Sequence, residues 1–378
     1  MRLLHTSDWH LGAMDGERSL LDDQRYFIDE ICSIVKENEI NAVVIAGDVF
    51  DRSVASAEAI KLYDSAMTRL CRDLKTEVIL IAGNHDGAER LANCGELLSA
   101  SGLHIRGSLS ADIQPVSYAD TDIYLLPWIT EEKVKSVFPE HKDEIKSLED
   151  AYRVVTDRMR DTFDTGKKHI IVSHAFITDA ETSKSDRAAE IGFAAQVSAS
   201  VFDGFDYVAL GHLHKAQDVT ERIRYSGTPM PYSFGKEETQ EKSVTILDTS
   251  DMSRKIIPLT LLHPRRTFAG TYAELCAPQC SEAEKNGYIR LQVADSYVGL
   301  EALSELRRVY PNLLEVSGKS FEGEDTSVTM TMEQLQALET DPVEVFRFFC
   351  REETDIEPDE RLIALFRKAV ETAEEGNA

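Results

Sequence analysis

Several apolar segments of this sequence end at side chains that can bind metal ions or move protons. In the clearest case, the uninterrupted apolar run 78–82 ends two residues before Asn84 and His85. Asp86 comes next, and its role is open between capping a helix and supporting the turn. The candidate metal ligands that follow such runs along the chain are Asp8, His10, Asp48, Asn84, His174, His212 and His214.

Three oxygen-bearing side chains and four imidazoles are too many ligands for one ion and suit two, with one carboxylate shared between them. Oxygen and imidazole ligands without thiolates favour manganese, iron or zinc over magnesium or calcium. Two ions about 3.5–4 Å apart can each hold a phosphate oxygen, and a water between them becomes a nucleophile near neutral pH. The chemistry that this set predicts is hydrolysis of a phosphoester.

Each short motif is weak evidence for function when it stands alone. Gly-Asn-His-Asp is usually a turn, Asp-x-His occurs by chance, and His-x-His can be a satisfied pair in a core. Their joint occurrence, each at the end of an apolar run, favours a functional site. The other histidines have no such partners and are interpreted as structural or surface residues; they lie at positions 5, 104, 141, 169 and 263.

The elements that must position these side chains alternate between strand and helix. Apolar runs at 2–7, 42–46 and 78–82 predict strands, and segments with helical spacing of apolar residues lie between them. Right-handed crossovers wind such units into a parallel sheet, and open α/β folds keep their sites at the carboxyl edge of that sheet. We therefore expect the side chains that follow these strands to meet at one edge.

The later part of the main domain follows a looser pattern. Strands are predicted at 121–128, 170–172 and 207–210, and the polar segment 177–200 predicts a long loop. Residues 219–262 alternate in polarity, which predicts antiparallel strands that close a second sheet.

Three parts follow from these patterns. We predict a metal-binding domain over residues 1–264, a small α/β module over 265–330 and a helical tail over 331–378. The tail is acidic and its last helix is amphipathic.

Composition limits the class of protein. The net charge of −26 over 378 residues argues against a generic nucleic-acid binder, because such proteins usually carry a basic patch. It does not exclude DNA, since bound divalent cations change the local field. The chain shows no export signal, no apolar run of about 18 residues and no dense cysteine framework, and we expect a cytoplasmic protein.

Taken together, the motifs resemble those of the calcineurin-like metallophosphoesterases; they lie at residues 8–10, 47–52, 83–86, 173–174 and 211–214. Segments 4–12 and 202–214 are similar to the SbcD nucleases within that superfamily. The resemblance implies an α/β fold of two packed mixed β-sheets flanked by helices. It also implies a small α/β capping domain and a helical C-terminal tail that binds a partner.

The resemblance also implies roles for single residues. One metal ion is expected to be held by Asp8, His10 and His214. The other is expected to be held by Asn84, His174 and His212, with Asp48 bridging the two ions.

Catalytic and substrate-binding roles follow in the same way. His85 is implied to stabilise or protonate the leaving oxygen, with Asp51 orienting it. Arg52, Lys184 and Arg187 are possible contacts to phosphate or DNA.

The leading functional hypothesis is a manganese-dependent DNA nuclease that works with an SbcC-type ATPase, as a homodimer, in DNA recombination, repair and replication. The resemblance implies 3′-to-5′ exonuclease activity on duplex DNA and endonuclease activity on hairpins or single strands. A small-molecule phosphodiesterase or phosphatase on the same two metal ions is one alternative, and it suits the acidic charge better. An enzyme that acts on a small substrate, however, would need neither the small module nor the tail. A DNA-end scaffold without catalytic activity is another alternative. All seven candidate ligand positions carry side chains that can bind metal, which argues against it.

Overall fold

The computed structural model describes residues 1–16, 18–178, 180–181, 196–277, 281–295 and 300–318, together with residues 363, 366 and 367. The chain forms two compact units, residues 1–319 and residues 320–378. In the second unit the described residues are helical, and Ile363 is buried. Within the described residues, every helix is too short or too polar to span a membrane.

Strands provide the framework of the first unit. They are β1 (Arg2–Thr6), β2 (Met14–Asp15), β3 (Arg18–Ser19), β4 (Ala42–Ala46), β5 (Glu77–Ile81), β6 (Leu103–Arg106), β7 (Val116–Ser117), β8 (Thr121–Leu126), β9 (Lys168–His174), β10 (Phe176–Ile177), β11 (Gln196–Val197), β12 (Tyr207–Gly211), β13 (Gln217–Asp218), β14 (Ile223–Tyr225), β15 (Ser243–Asp248), β16 (Ser253–Pro258), β17 (Arg265–Gly270), β18 (Tyr288–Val293) and β19 (Leu313–Gly318).

The helices mostly connect these strands. They are α1 (Leu21–Glu37), α2 (Ala57–Thr68), α3 (Ala88–Leu91), α4 (Gly95–Ser99), α5 (Glu131–Val137), α6 (Leu148–Arg160), α7 (Tyr272–Cys276), α8 (Glu282–Lys285) and α9 (Leu300–Val309). A π-helical turn, Arg69–Asp73, continues α2, and a 3-10 turn, Lys236–Thr239, lies between β14 and β15.

The first sheet has the order β16-β15-β1-β4-β5-β6. Strands β1, β4, β5 and β6 are parallel, because α1 and α2 carry the chain back between the first three of them. Both faces are covered, so alternate residues enter different cores. Val43 and Ile45 pack against the helices, whereas Val44 and Ala46 face the second sheet. Burial on both faces explains the uninterrupted apolar runs of the sequence.

The second sheet has the order β13-β14-β12-β9-β8-β7 and packs against the first through a shared apolar layer. Ile170 and Val172 of β9 face this layer, and Ile171 faces the core beneath α5 and α6. Two mixed sheets are therefore enclosed by helices on their outer faces. The predicted α/β fold with two packed mixed sheets is confirmed.

The prediction for residues 219–262 is partly wrong. Strands β13 and β14 do lie at an edge of the second sheet, but β15 pairs antiparallel with β1, and β16 with β15, in the first sheet. The physical reason is that β1 pairs with β4 on one side only and its other edge needs a partner. Val244 and Ile246 join the helix-covered core, and Leu247 joins the layer between the sheets.

Short elements of secondary structure lie at both ends of the predicted long loop at 177–200. Strands β10 and β11 pair in parallel, and a 3-10 turn, Ala199–Phe202, follows. Residues 182–195 lie outside the described residues, and with them lie the candidate DNA contacts Lys184 and Arg187. Most of the predicted tail at 331–378 also lies outside them.

A small α/β module follows the main pair of sheets. Strands β17, β18 and β19 form a parallel sheet, and α7 and α9 pack on it. Its own core contains Leu275, Ile289, Leu291, Leu306 and Tyr310. The sequence patterns missed β17, which begins with two arginines and has a single large apolar residue, Phe268.

Candidate metal centre

The candidate ligands lie where strands of the two sheets end side by side. Asp8 follows β1 and Asp48 follows β4, in the first sheet. His174 is the last residue of β9 and His212 follows β12, in the second. Packing of the sheets brings these ends together, so residues that are far apart in the sequence become neighbours.

The backbone at these strand ends is in an unusual conformation. Four candidate ligands that are not glycine have positive φ; they are Asp8 (53°), His10 (45°), Asp48 (49°) and His212 (101°). A left-handed conformation costs an ordinary residue roughly 1–2 kcal/mol. Hydrogen bonds between the loops hold it in place, including those from Asp8 N to Gly47 O and from His10 N to Asp48 O, both 3.0 Å long.

Two glycines allow the loops to approach so closely. A Cβ atom on Gly83 would lie 2.2 Å from Oδ1 of Asp48, and one on Gly47 would lie 2.4 Å from Nδ1 of His174. Side chains at these positions would push the candidate ligands apart.

We call Asp8, His10 and His214 the first ligand group. Their donor atoms all lie within 4.8 Å of one another, and all three side chains are buried. Nε2 of His10 and Nε2 of His214 are 3.2 Å apart. The Asp8 carboxylate also accepts hydrogen bonds from the backbone N–H of His212, at 3.0 and 3.2 Å, and from the hydroxyl of Ser7.

We call Asn84, His174 and His212 the second ligand group. Oδ1 of Asn84 lies 2.8 Å from Nε2 of His174 and 3.2 Å from Nδ1 of His212. Nδ1 of His174 donates to the carbonyl of Ala46 at 2.8 Å, so Nε2 is the ring nitrogen that faces the site. Trp128 stacks on the ring of His212, with 5.3 Å between ring centroids.

Asp48 lies between the two groups. Its Oδ2 is 3.4 Å from Nε2 of His174 and 3.9 Å from Nε2 of His10, and its side chain is 2% exposed. One carboxylate oxygen is therefore close to a nitrogen donor of each group.

Burial controls the charge states of the centre. It holds the pKa of His10 well below its usual value and lowers the pKa of His212 to about 3, so both rings are neutral and have a free lone pair. Burial opposes ionisation of Asp48, but His174 holds the pKa of that carboxyl well below its usual value. Burial also opposes the charge of His174, but Asp48 raises the pKa of that ring to about 9, so His174 carries a proton at neutral pH. Burial raises the pKa of Asp8 to about 8.

Imidazoles, an amide oxygen and a buried carboxylate between them form a donor set that fits two divalent cations, and binding of a cation would displace the proton of His174. Binding of a cation would displace the proton that the raised pKa of Asp8 favours, so affinity is expected to rise with pH.

His85 lies at the edge of this centre. Its ring centroid is 4.6 Å from that of His10, its Nε2 is 3.8 Å from Oδ2 of Asp48, and 13% of its side chain is exposed. The backbone N–H of His85 donates to Oδ1 of Asp48 at 2.9 Å. Its imidazole therefore faces the site without belonging to either ligand group.

Asp51 contacts His85 differently from the expectation. Its main-chain carbonyl, not its carboxylate, lies 2.8 Å from Nδ1 of His85. The carboxylate lies 4.0 Å from Nδ1 of His10 and 3.4 Å from Nε of Arg52. The Arg52 side chain is 76% exposed, so this candidate phosphate contact lies at the surface beside the site.

The structure answers the open question about Asp86. Its carboxylate accepts hydrogen bonds from the backbone N–H groups of Val49, Phe50 and Gly83 at 3.1, 2.8 and 2.9 Å. It thus ties the loop after β4 to the loop after β5 and supports the turn. The signal in the sequence was its position two residues after Asn84.

Sequence reasoning missed residues that donate hydrogen bonds to main-chain carbonyls of the candidate ligands or of their neighbours. Nε2 of Gln24, on α1, donates to the carbonyl of His10 at 2.7 Å, and the hydroxyl of Tyr232 donates to the carbonyl of Trp9. Lys242 donates to the carbonyl of His214 at 3.2 Å. No motif marks these residues, because each is distant in the sequence from the ligand that it supports.

Two sequence families match this chain. The family described as "Calcineurin-like phosphoesterase" matches residues 1–216, and the family SbcD_C, described as "Type 5 capsule protein repressor C-terminal domain", matches residues 262–354. The SbcD component of the nuclease SbcCD of Staphylococcus epidermidis is 31% identical to the chain over 326 residues. That alignment covers 85% of this chain and 86% of the relative.

Proposed function

Because the chain belongs to the calcineurin-like phosphoesterases and, within them, to the SbcD nucleases, we propose that it is a metal-dependent DNA nuclease that hydrolyses phosphodiester bonds. The observation that carries this proposal is the pair of buried ligand groups on either side of Asp48, with His85 at their edge. Two cations bound there would supply a nucleophilic water and neutralise the charge of the phosphate.

The ligand assignment is part of the proposal. The first ligand group would hold one cation and the second group the other, with Asp48 shared. The close approach of the donor atoms supports this assignment. Manganese is proposed as the metal, since mixed imidazole and oxygen donors suit it.

His85 is proposed as the group that serves the leaving oxygen. Hydrolysis breaks the bond between phosphorus and the sugar oxygen, and that oxygen takes up a proton. The carbonyl of Asp51 accepts a hydrogen bond from Nδ1 of His85, so Nε2 faces the site. In the imidazolium form of the ring, Nε2 would give its proton to the leaving oxygen and the ring would become neutral, while the attacking water forms the new bond to phosphorus. Arg52, at the rim, would contact the phosphate of the bound strand.

The test uses purified protein with Mn²⁺, an SbcC-type ATPase and ATP, and linear duplex DNA labelled at either the 3′ or the 5′ end. We expect progressive loss of the 3′ label, and cleavage of hairpin and single-stranded DNA. Hydrolysis of a small diester such as bis(4-nitrophenyl) phosphate without any cleavage of DNA would favour the small-molecule alternative. Binding of DNA ends without cleavage would favour the scaffold alternative.

The proposed assembly is a homodimer that binds an SbcC-type ATPase through residues 331–378 and acts in the cytoplasm in DNA recombination, repair and replication. The similarity to a component of the nuclease SbcCD supports the ATPase partner. Leu97 on α4 has an exposed apolar side chain and is therefore the residue at which the proposed homodimer is tested. Analytical ultracentrifugation of the protein and of the Leu97→Glu variant tests the dimer, and co-purification after deletion of 340–378 tests the tail.

A further inference from the structure

One loop contacts both the first ligand group and the small module. We call residues 231–242, which lie between β14 and β15 and include the 3-10 turn, the connector. The connector and the module strands both belong to the first compact unit, so their contacts can be followed residue by residue.

At one end of the connector, Lys242 supports a ligand of the first group from behind. Its buried ammonium donates to the carbonyl of His214 at 3.2 Å and to the hydroxyl of Thr228 at 2.7 Å. Thr228 donates to the same carbonyl, from its N–H at 3.2 Å and from its hydroxyl at 3.4 Å. The main chain of His214 is therefore fixed by three donors, and its ring position follows.

Glu237 balances the charge of this lysine. Its buried carboxylate accepts hydrogen bonds from Lys242 at 3.2 Å, from the backbone N–H of Tyr232 at 3.0 Å and from the hydroxyl of Ser233 at 2.7 Å. The Tyr232 ring in turn lies 5.4 Å from the ring of His10 and 6.1 Å from that of His214. The carboxylate thus holds the connector against two members of the first ligand group.

The next residue, Glu238, contacts the small module. Its carboxylate accepts hydrogen bonds from the N–H and the hydroxyl of Thr267 on β17, at 2.8 and 2.6 Å, and from Arg290 on β18 at 3.2 Å. Arg290 also lies over the ring of Phe234, 5.1 Å from its centroid. Of these two adjacent carboxylates, that of Glu237 binds Lys242, which contacts His214, and that of Glu238 binds the module.

Buried Arg265 strengthens the contact with the module. Its Nε donates to the carbonyl of Pro231 at 3.1 Å, its guanidinium lies over the ring of Phe234, and its Nη1 pairs with Asp15 at 2.6 Å. The connector therefore has a fixed position relative to β17.

The second ligand group is supported in another way. The contacts described for it come from the strand end at Ala46, from Trp128 and from Asp48. The connector contacts named above go to the first group, to its neighbours and to the small module, and none of those named goes to the second group.

We propose that Lys242 and Glu237 are positioning residues for the metal ion of the first ligand group, and that Glu238 couples the position of this ion to the small module. The inference rests on the proposed function, because it assumes two bound cations. A lysine suits this place because one ammonium can donate to a carbonyl, a hydroxyl and a carboxylate at once. A buried ion pair adds little net stability, so its contribution here is to position the His214 main chain.

The test is a manganese titration of the full-length double variant Lys242→Met with Glu237→Gln, which removes both charges together. We expect one ion to bind about 10- to 100-fold more weakly and the other to bind as in wild type. Electron paramagnetic resonance should then show the spectrum of an isolated Mn²⁺ ion at concentrations where the wild type shows a coupled pair. These measurements do not depend on nuclease activity.

The matched control is Lys167→Met with Asp122→Asn. This pair, 2.8 Å apart, lies at the start of β8, at the opposite end of that strand from Trp128 and the metal centre. Both ions should bind to the control as they do to wild type. The proposal would be overturned if the connector variant bound both ions as tightly as wild type does. It would also be overturned if the affinities for both ions fell by the same factor.

A second variant, Glu238→Gln, tests the coupling and does not depend on folding of the first. It leaves Lys242 and every ligand in place, and we expect the same single ion to weaken by roughly two- to thirtyfold. Unchanged affinity would overturn the link to the module. If the wild type itself bound fewer than two ions, the proposed function would be wrong, and that outcome is distinct from the two above.

Discussion

The two ligand groups have similar chemistry but different structural support. The second group is fixed by strand ends of the central sheets and by the stacked Trp128 ring. The first group also uses the strand end at Asp8, but the main chain of its member His214 is held by a loop between β14 and β15 that also contacts the small module. Hence the second group belongs to the core of the fold, whereas the position of His214 in the first group can respond to a peripheral part of the molecule.

The largest expected effect comes from removing the residue that the two groups share. Asp48→Asn should weaken both ions and lower nuclease turnover by about 10³-fold or more, because the negative charge between the cations is lost. Calorimetric manganese titration and a nuclease assay measure the two effects. If the binding of only one ion were weakened, Asp48 would be a ligand of that ion alone and would not be shared by the two groups.

A slightly smaller effect is expected at His85, which belongs to neither group. His85→Ala should lower turnover by about 10²- to 10⁴-fold with both ions retained, because it removes a proton donor and not a ligand. Turnover at saturating DNA and metal content by mass spectrometry are measured on the same sample. Loss of an ion would mean that His85 is a metal ligand and that one of the two ligand groups must include it.

The central strands that lead to the ligands also predict a pH dependence of stability. On β1, Nδ1 of His5 lies 3.0 Å from the hydroxyl of Tyr207, and its Nε2 lies 3.1 Å from the carbonyl of Leu210. Leu210 is two residues before the candidate ligand His212. Burial, and then Arg224, lower the pKa of His5 to about 3. The unfolded chain takes up this proton below pH 6.5, so stability decreases as the pH falls from 6.5 towards 3.

Between pH 7 and pH 5 this residue should reduce the free energy of unfolding by about 2 kcal/mol. Urea denaturation with a chelator present compares wild type with His5→Gln, which has no proton to gain. The wild type should lose that much more stability than the variant. Identical pH slopes would show that His5 is protonated in the fold and that the strand contacts hold it differently.

The smallest effect is expected at Arg52, outside both groups. Its side chain is 76% exposed, so Arg52→Ala should leave thermal stability and both metal affinities unchanged. We expect KM for DNA to rise roughly two- to fivefold through loss of a phosphate contact, with kcat unchanged. A constant KM would remove Arg52 from the substrate site, and Arg52→Lys provides the charge-conserving control.

Much of the fold followed from the sequence because strands buried on both faces have an unmistakable composition. The runs at 42–46 and 78–82 became β4 and β5 within one residue, and their ends carry candidate ligands. The placement of β15 could not be predicted, because alternating polarity does not say which open sheet edge a strand will join. It joined β1 in the first sheet.

The candidate site divides in the same way. Ligand-type side chains were visible because each follows an apolar run. Their supports were invisible, because a carbonyl contact such as that from Lys242 to His214, or from His85 to Asp51, depends on loops that only the folded chain brings together. Asp51 does lie beside His85, as the sequence predicted. The contact is made by its main-chain carbonyl, however, and every residue carries that group.

The left-handed backbone at Asp8, His10, Asp48 and His212 sets stability against activity. At such positions glycine relieves the steric conflict of the side chain, so it would favour the fold at the very residues that the proposed chemistry requires. Laboratory selection for heat resistance alone would thus tend to erode this centre. A thermostable variant of the protein should be sought by substitutions elsewhere, with these four positions held constant.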